Sequence, residues 1–228
     1  MRIAHVDRRD TVRLVDSRYD SGTGSGSEAS HALAALADDT GRLADLVDLT
    51  GLTSSRERAE QGDSPYFGRN LLVSGVPLAA VVNAAFTYPA GSGAGGGRFN
   101  DERVGAWYAG HDLATARAEV EHHRRRFLAD ARIVEATLSF TAYLSDLTAD
   151  AAVLSARADR RLLDPQSYAQ SQAFARQCLD AGIGAVDYPS VRAPAGRCVA
   201  ILLPSLVQRV RRGRTRSASW AGGRFTWA

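Results

Sequence analysis

The period of the hydrophobic positions changes several times along this chain, and each change predicts a new element. Residues 11–19, TVRLVDSRY, alternate around Val12, Leu14 and Tyr19 and predict a strand. Residues 21–30, SGTGSGSEAS, have the composition of a flexible loop. The next stretch, to Gly51, sets Leu33, Leu43, Leu46, Val47 and Leu49 in one or two helices that Gly51 terminates. Residues 54–70 are polar and predict surface. The apolar run VPLAAVVNAAF from Val76 to Phe86 fits a strand or a buried helix equally, because period alone does not separate them. AGSGAGGG, residues 90–97, reads as a second loop.

Val104 to Tyr108 predicts a short strand, followed by a helix with Asp112 as its N-cap. On that helix Leu113, Ala116, Val120 and Phe127 share one face. At about 100° per residue, Glu119 falls on the edge of this face and Glu121 nearer water. Residues 131–147 predict a strand with a turn near Ser145 and Asp146, residues 167–180 a helix stopped by Gly182, residues 182–188 a strand or its lead-in, and residues 198–204 a buried strand. Beyond Gln208 the chain becomes basic. No internal repeat is present. The expected class is α+β: one domain, residues 1–205, with a mixed sheet and flanking helices, then a basic C-terminal tail, residues 206–228.

Composition narrows the chemistry. The chain has 228 residues, 45% of them apolar, enough for a sizeable core. Its formal net charge is +3, and lysine is absent, so all 28 basic residues are arginine. Cys178 and Cys198 are its two cysteines, too few for a disulfide framework or a zinc site. His122 and His123, adjacent on a helix, point about 100° apart and suit no shared metal. No metal is expected. No apolar signal core follows the charged first ten residues, and no run is long enough to span a membrane. The expectation is a cytoplasmic protein with reduced thiols and no membrane partner.

Candidate chemistry concentrates between Gly95 and His123. Gly95, Gly96 and Gly97 allow close backbone approach to a ligand. Arg98 carries a planar fork of donors suited to phosphate or carboxylate. With Tyr108 and Glu119 it supplies a cation, an aromatic face and a carboxylate, the needs of a phosphorylated, ring-bearing ligand such as a dinucleotide. A P-loop is excluded, since the chain has no lysine. Gly91, Gly93 and Gly96 match GxGxxG by letter, but turn and strand follow them rather than the helix of a Rossmann unit.

GGRFN, then WY, then ARAEV, followed later by GIGAVDYPS ending at Ser190, resembles the RES-domain family, which takes its name from Arg, Glu and Ser. RLVDSRY at residues 13–19 resembles the opening segment of longer members, so the resemblance spans about residues 11–204. Phe99 stands where the family more often has tryptophan. The resemblance implies a fold like that of ADP-ribosyltransferases and a toxin of a bacterial toxin–antitoxin pair that consumes NAD, with Arg98, Tyr108, Glu119 and Ser190 as its working residues. Arg98 would hold the pyrophosphate or a ribose. Tyr108 would stack on nicotinamide or orient the ribose. Glu119 would stabilise positive charge developing at the anomeric carbon. Ser190 would bond ligand or position Arg98, and Arg18 and Tyr19 would form a second wall.

On this reading NAD is the substrate, and water, inorganic phosphate or a protein side chain accepts ADP-ribose. The last case is an ADP-ribosyltransferase acting on a cellular protein. The partner is a small helix-turn-helix antitoxin that blocks the pocket; homo-oligomerisation stays open. A different class is a nucleic-acid-binding protein that uses Arg209, Arg211, Arg212, Arg214 and Arg216 of the tail, beside Trp220 and Trp227.

Overall fold

The fold is seen in a computed structural model that describes residues 1–17, 54–88, 95–101 and 103–228. The helices expected before Gly51, the loop at 21–30, and Arg18 and Tyr19 lie outside these residues.

A seven-stranded mixed sheet organises the chain. Strand β1 (Ile3–Asp16) runs antiparallel to β3 (Glu135–Val153) over most of its length, and also meets β2 (Trp107–Gly110) at Val12 and Gly110. From β2 the sheet continues to β5 (Arg197–Ile201), then β4 (Ala185–Pro189), which returns to β3 through a short parallel pairing. Five strands therefore close on themselves. Their enclosed core includes Trp107, Tyr143, Leu147, Val199 and Ile201, with Val82 and Phe86 packed against them. The β5 run RCVAI is continuously apolar from Cys198 because both of its faces are covered.

The apolar stretch whose period was ambiguous is a helix, α2 (Ala79–Thr87), which brings Val82 and Phe86 to this core; Asn83 is buried with them. It tolerates burial because its Oδ1 accepts from Val73 N at 3.1 Å and its Nδ2 donates to Glu60 Oε1 at 2.8 Å. Before it, the polar stretch contains a short helix, α1 (Ser55–Gln61), capped by Ser54 and closed by Gly62 at φ 89°. Helix α3 (Leu113–Asp130) starts where Asp112 accepts from Thr115 N at 2.7 Å. It lies over Val12, Leu14 and Phe140 through Ala116 and Leu128. Phe127, expected on the buried face, is 54% exposed, one of several large apolar side chains that stay in water. Helix α4 (Ala169–Asp180) buries Ala175 and Cys178 and ends before Gly182 at φ 75°.

Two expectations are corrected. No turn interrupts β3 at Ser145 and Asp146. These polar residues are satisfied across strands: Ser145 Oγ accepts from Trp107 Nε1 at 3.0 Å, and Asp146 Oδ1 accepts from Asp10 N at 3.0 Å and Arg211 Nη2 at 2.9 Å. Nor are residues 206–228 a tail. Strand β6 (Gln208–Ala221) pairs along β3, and β7 (Arg224–Trp227) folds back through Gly222 and Gly223, both at positive φ. Ala218, Trp220 and Phe225 are buried against Leu138 and Phe140. Arg211 bonds Asp10 and Asp146, so part of the basic stretch is neutralised within the sheet. Among the described residues no helix is long and apolar enough to cross a membrane.

Candidate active site

The outer face of β2, β5 and β4 carries the site. Tyr108 stands opposite Ala200, and Cys198 opposite both Gly110 and Tyr188, so Tyr108 and Tyr188 rise from neighbouring strands on one face. The N-terminal half of α3 crosses this face close to Gly110. A Cβ on Gly110 would stand 2.7 Å from Ala116 N, so the strand accepts the helix there only as glycine.

Glu119, on α3, reaches the loop after β4. Its Oε1 accepts from Ser190 Oγ at 2.6 Å and stands 3.9 Å from Cys198 Sγ. Ser190 Oγ in turn accepts from Arg192 N at 3.0 Å and Ala193 N at 2.9 Å. With both lone pairs used, the serine proton points at Glu119. Ser190 therefore positions Glu119, not Arg98, and a hydroxyl so engaged is poorly placed to act as a nucleophile. Glu121 is turned elsewhere, bonding Arg125 and Trp227.

Arg98 is 7% exposed. Its Nη1 donates to Leu162 O at 3.2 Å and Asp164 O at 2.8 Å, and its guanidinium lies over the Tyr168 ring at 4.8 Å. It thus ties the glycine-rich turn to the segment before α4, which leaves only part of the guanidinium for a ligand.

Tyr108 locks the same turn. Its hydroxyl accepts from Phe99 N at 2.8 Å and donates to Asn100 Oδ1 at 2.8 Å. Burial pushes this phenol well above its ordinary value, partly offset by the Phe99 bond and Arg98. The hydroxyl proton is given to Asn100, so the ring is what Tyr108 chiefly offers a ligand. The glycines also answer to internal packing: a Cβ on Gly97 would come within 2.5 Å of Asn100 Oδ1 and 2.7 Å of the Tyr108 hydroxyl. Gln172 of α4 completes the turn, its amide nitrogen facing the carbonyls of Gly95, Gly97 and Asn100 at 2.7–3.0 Å.

Tyr188 links these groups. Its ring meets Phe99 edge-on at 4.8 Å. Burial raises its hydroxyl well above the ordinary value, Cys198, Glu119 and Tyr108 raise it further, and Arg98 opposes them. The structure therefore brings Tyr108, Glu119 and Ser190 to the sheet face of Tyr188, with Arg98 next to Phe99, whose ring Tyr188 meets. Arg18 and Tyr19 lie outside the described residues.

Sequence reasoning missed Tyr188, Gln172 and a buried charge cluster below the site. Asp187 accepts from Arg197 Nε at 2.7 Å and more closely from its Nη2, while His111 Nε2 stands 2.9 Å from Asp187 Oδ2, an ion-pair distance but off-line for a hydrogen bond. Burial works to raise the Asp187 carboxyl, yet His111 and Arg197 together hold it below the usual range. Nothing local in the sequence pointed from Asp187 to Arg197 ten residues on.

No curated protein matches the chain. Among solved structures, the toxin–antitoxin complex of MbcT and MbcA from M. tuberculosis is similar at 14% identity and a TM-score of 0.40, over 53% of this chain and 70% of that one. The model of the RES domain matches residues 76–221, which carry Arg98, Tyr108, Glu119, Ser190 and strand β6. With more than half of its length matched, this chain belongs to the RES-domain family.

Proposed function

We propose that this protein cleaves NAD at the nicotinamide–ribose bond. The observation that carries the reading is Glu119, a carboxylate fixed by the Ser190 proton and lying against the sheet face that carries Tyr108. Cleavage breaks the bond from C1′ of the ribose to the pyridinium nitrogen. The electron pair leaves with nicotinamide, and positive charge develops on the ribose. A carboxylate held beside that ribose stabilises the transition state more than the ground state. The Tyr108 ring gives the nicotinamide a face to stack on. Arg98 shapes the floor through the turn it anchors.

An acceptor oxygen from water or inorganic phosphate then bonds C1′ and loses its proton. A side chain of a cellular protein in the same place would make the enzyme an ADP-ribosyltransferase. In a cell, NAD loss arrests growth, so we read the protein as the toxin of a toxin–antitoxin pair, with a small helix-turn-helix antitoxin as the partner that blocks the cleft. The test is NAD consumption by purified protein with and without phosphate. Intact NAD in both, with the protein folded and antitoxin absent, would refute the reading.

A further inference from the structure

Most arginines with a defined partner in this fold face a carboxylate, as Arg56, Arg103, Arg124, Arg197 and Arg211 do. Arg160, Arg161 and Arg192 form no ion pair with a described carboxylate, and they gather at one place. Arg160 and Arg161 line a cleft of about 590 Å³ whose wall includes Pro189 and Ser190. That volume lies within the span of small-molecule sites, about 300–1,000 Å³. Arg192 follows Ser190 by two residues, and its Nη2 reaches Pro165 O on the far wall at 3.4 Å. Asp164 also lines the cleft, but its Oδ1 accepts the amides of Gln166 and Ser167 at 2.7 and 3.2 Å. The half-buried His122 reports the local field: burial, then Arg192, holds its imidazole below the ordinary value.

Unpaired cations that converge beside a carboxylate-bearing site create a potential that favours a multiply charged anion. Their fork geometry suits phosphate oxygens. The segment that carries Arg160 and Arg161 is already held by Arg98 through Leu162 O and Asp164 O, so its backbone is in place before an anion binds.

We propose that Arg160, Arg161 and Arg192 form an oxyanion rim that takes a phosphate group in the cleft at Ser190, beside Glu119. This rests on the NAD reading. The phosphate belongs either to the diphosphate of the dinucleotide or to free inorganic phosphate serving as acceptor.

The test is calorimetric titration of the wild type, Arg160→Ala/Arg161→Ala and Arg192→Ala with ADP, inorganic phosphate and adenosine. Losing charge-assisted hydrogen bonds predicts about a tenfold or larger loss of ADP or phosphate affinity, with adenosine unchanged. Loss for ADP identifies the diphosphate, and loss for phosphate alone identifies the free ion. Arg160 and Arg161 are exposed, so their replacement leaves folding intact, and Arg192→Lys tests whether charge without the fork suffices. Equal affinities in wild type and variants, or no ADP and no phosphate binding to the wild type at millimolar concentration, overturns the rim. NAD turnover in the same preparations judges the other reading separately. Consumption with the KM for NAD and the KM for phosphate both unchanged in the variants removes the rim and keeps NAD cleavage; rim binding with intact NAD does the reverse.

Discussion

Ser190 gives its only proton to Glu119, 2.6 Å away, because two backbone amides occupy the serine's acceptor sites. The carboxylate is therefore oriented before any ligand arrives, the condition under which an electrostatic group lowers a barrier without reorganising.

Replacing Ser190 with alanine removes that restraint and leaves the charge. Steady-state kinetics with NAD are expected to show kcat lower by roughly 10–100-fold, short of the loss from removing a preorganised group outright, with KM little changed. A variant with wild-type kcat would show that the bond is structural alone.

The Gly97 turn depends on the absence of a side chain. In Gly97→Ala the new Cβ meets Asn100 Oδ1 at 2.5 Å and the Tyr108 hydroxyl at 2.7 Å. The expected cost is about 1–3 kcal/mol, as for overpacking in a filled core. Urea unfolding reads it directly, and an unchanged midpoint would mean that the turn relaxes freely.

Acid stability should follow Asp187. Its folded carboxyl is held below the ordinary value, so the unfolded chain binds this proton more readily. The stability it contributes is complete above the unfolded value, about 3.9, and is lost as pH falls through the lower folded value. Asp187→Asn should lower stability at neutral pH by roughly 2–3 kcal/mol, at or below the low end for a buried pair because Arg197 keeps 32% of its side chain exposed. It should also flatten the fall in the urea midpoint between pH 5 and pH 3; a parallel fall in both proteins contradicts this.

Neither cysteine should react in the native state. Burial pushes the Cys178 thiol up to about 11, and burial with Glu119 raises Cys198 further beyond its ordinary range. At pH 8 a disulfide reagent should label no thiol of native protein and two after denaturation. Fast native labelling would place a thiolate where none is expected.

Much of the site was legible in the sequence because its signals are local. Arg98, Tyr108 and Glu119 fall within a short stretch in which a glycine turn, a strand and an Asp112-capped helix each have their own pattern. Helical geometry alone set Glu119 apart from Glu121. What the sequence hid depends on cross-strand pairing. Ser145 and Asp146 read as a turn because their partners, Trp107, Asp10 and Arg211, come from three other strands. The β6–β7 hairpin read as a tail because its arginines masked the alternation of Ala218 and Trp220, and because neutralising Arg211 requires Asp10 from the far end of the chain. Gln172 gave no signal at all, since three backbone carbonyls are invisible in a sequence.

The most direct measurement is NAD consumption by purified wild type, Glu119→Gln and Arg98→Ala, each shown folded. The account predicts nicotinamide release by the wild type. It predicts a loss on the order of 10²–10³ in rate for Glu119→Gln, and a loss for Arg98→Ala as the turn and the segment it anchors loosen. NAD left intact by the wild type, or consumed equally by Glu119→Gln, contradicts the role given to Glu119.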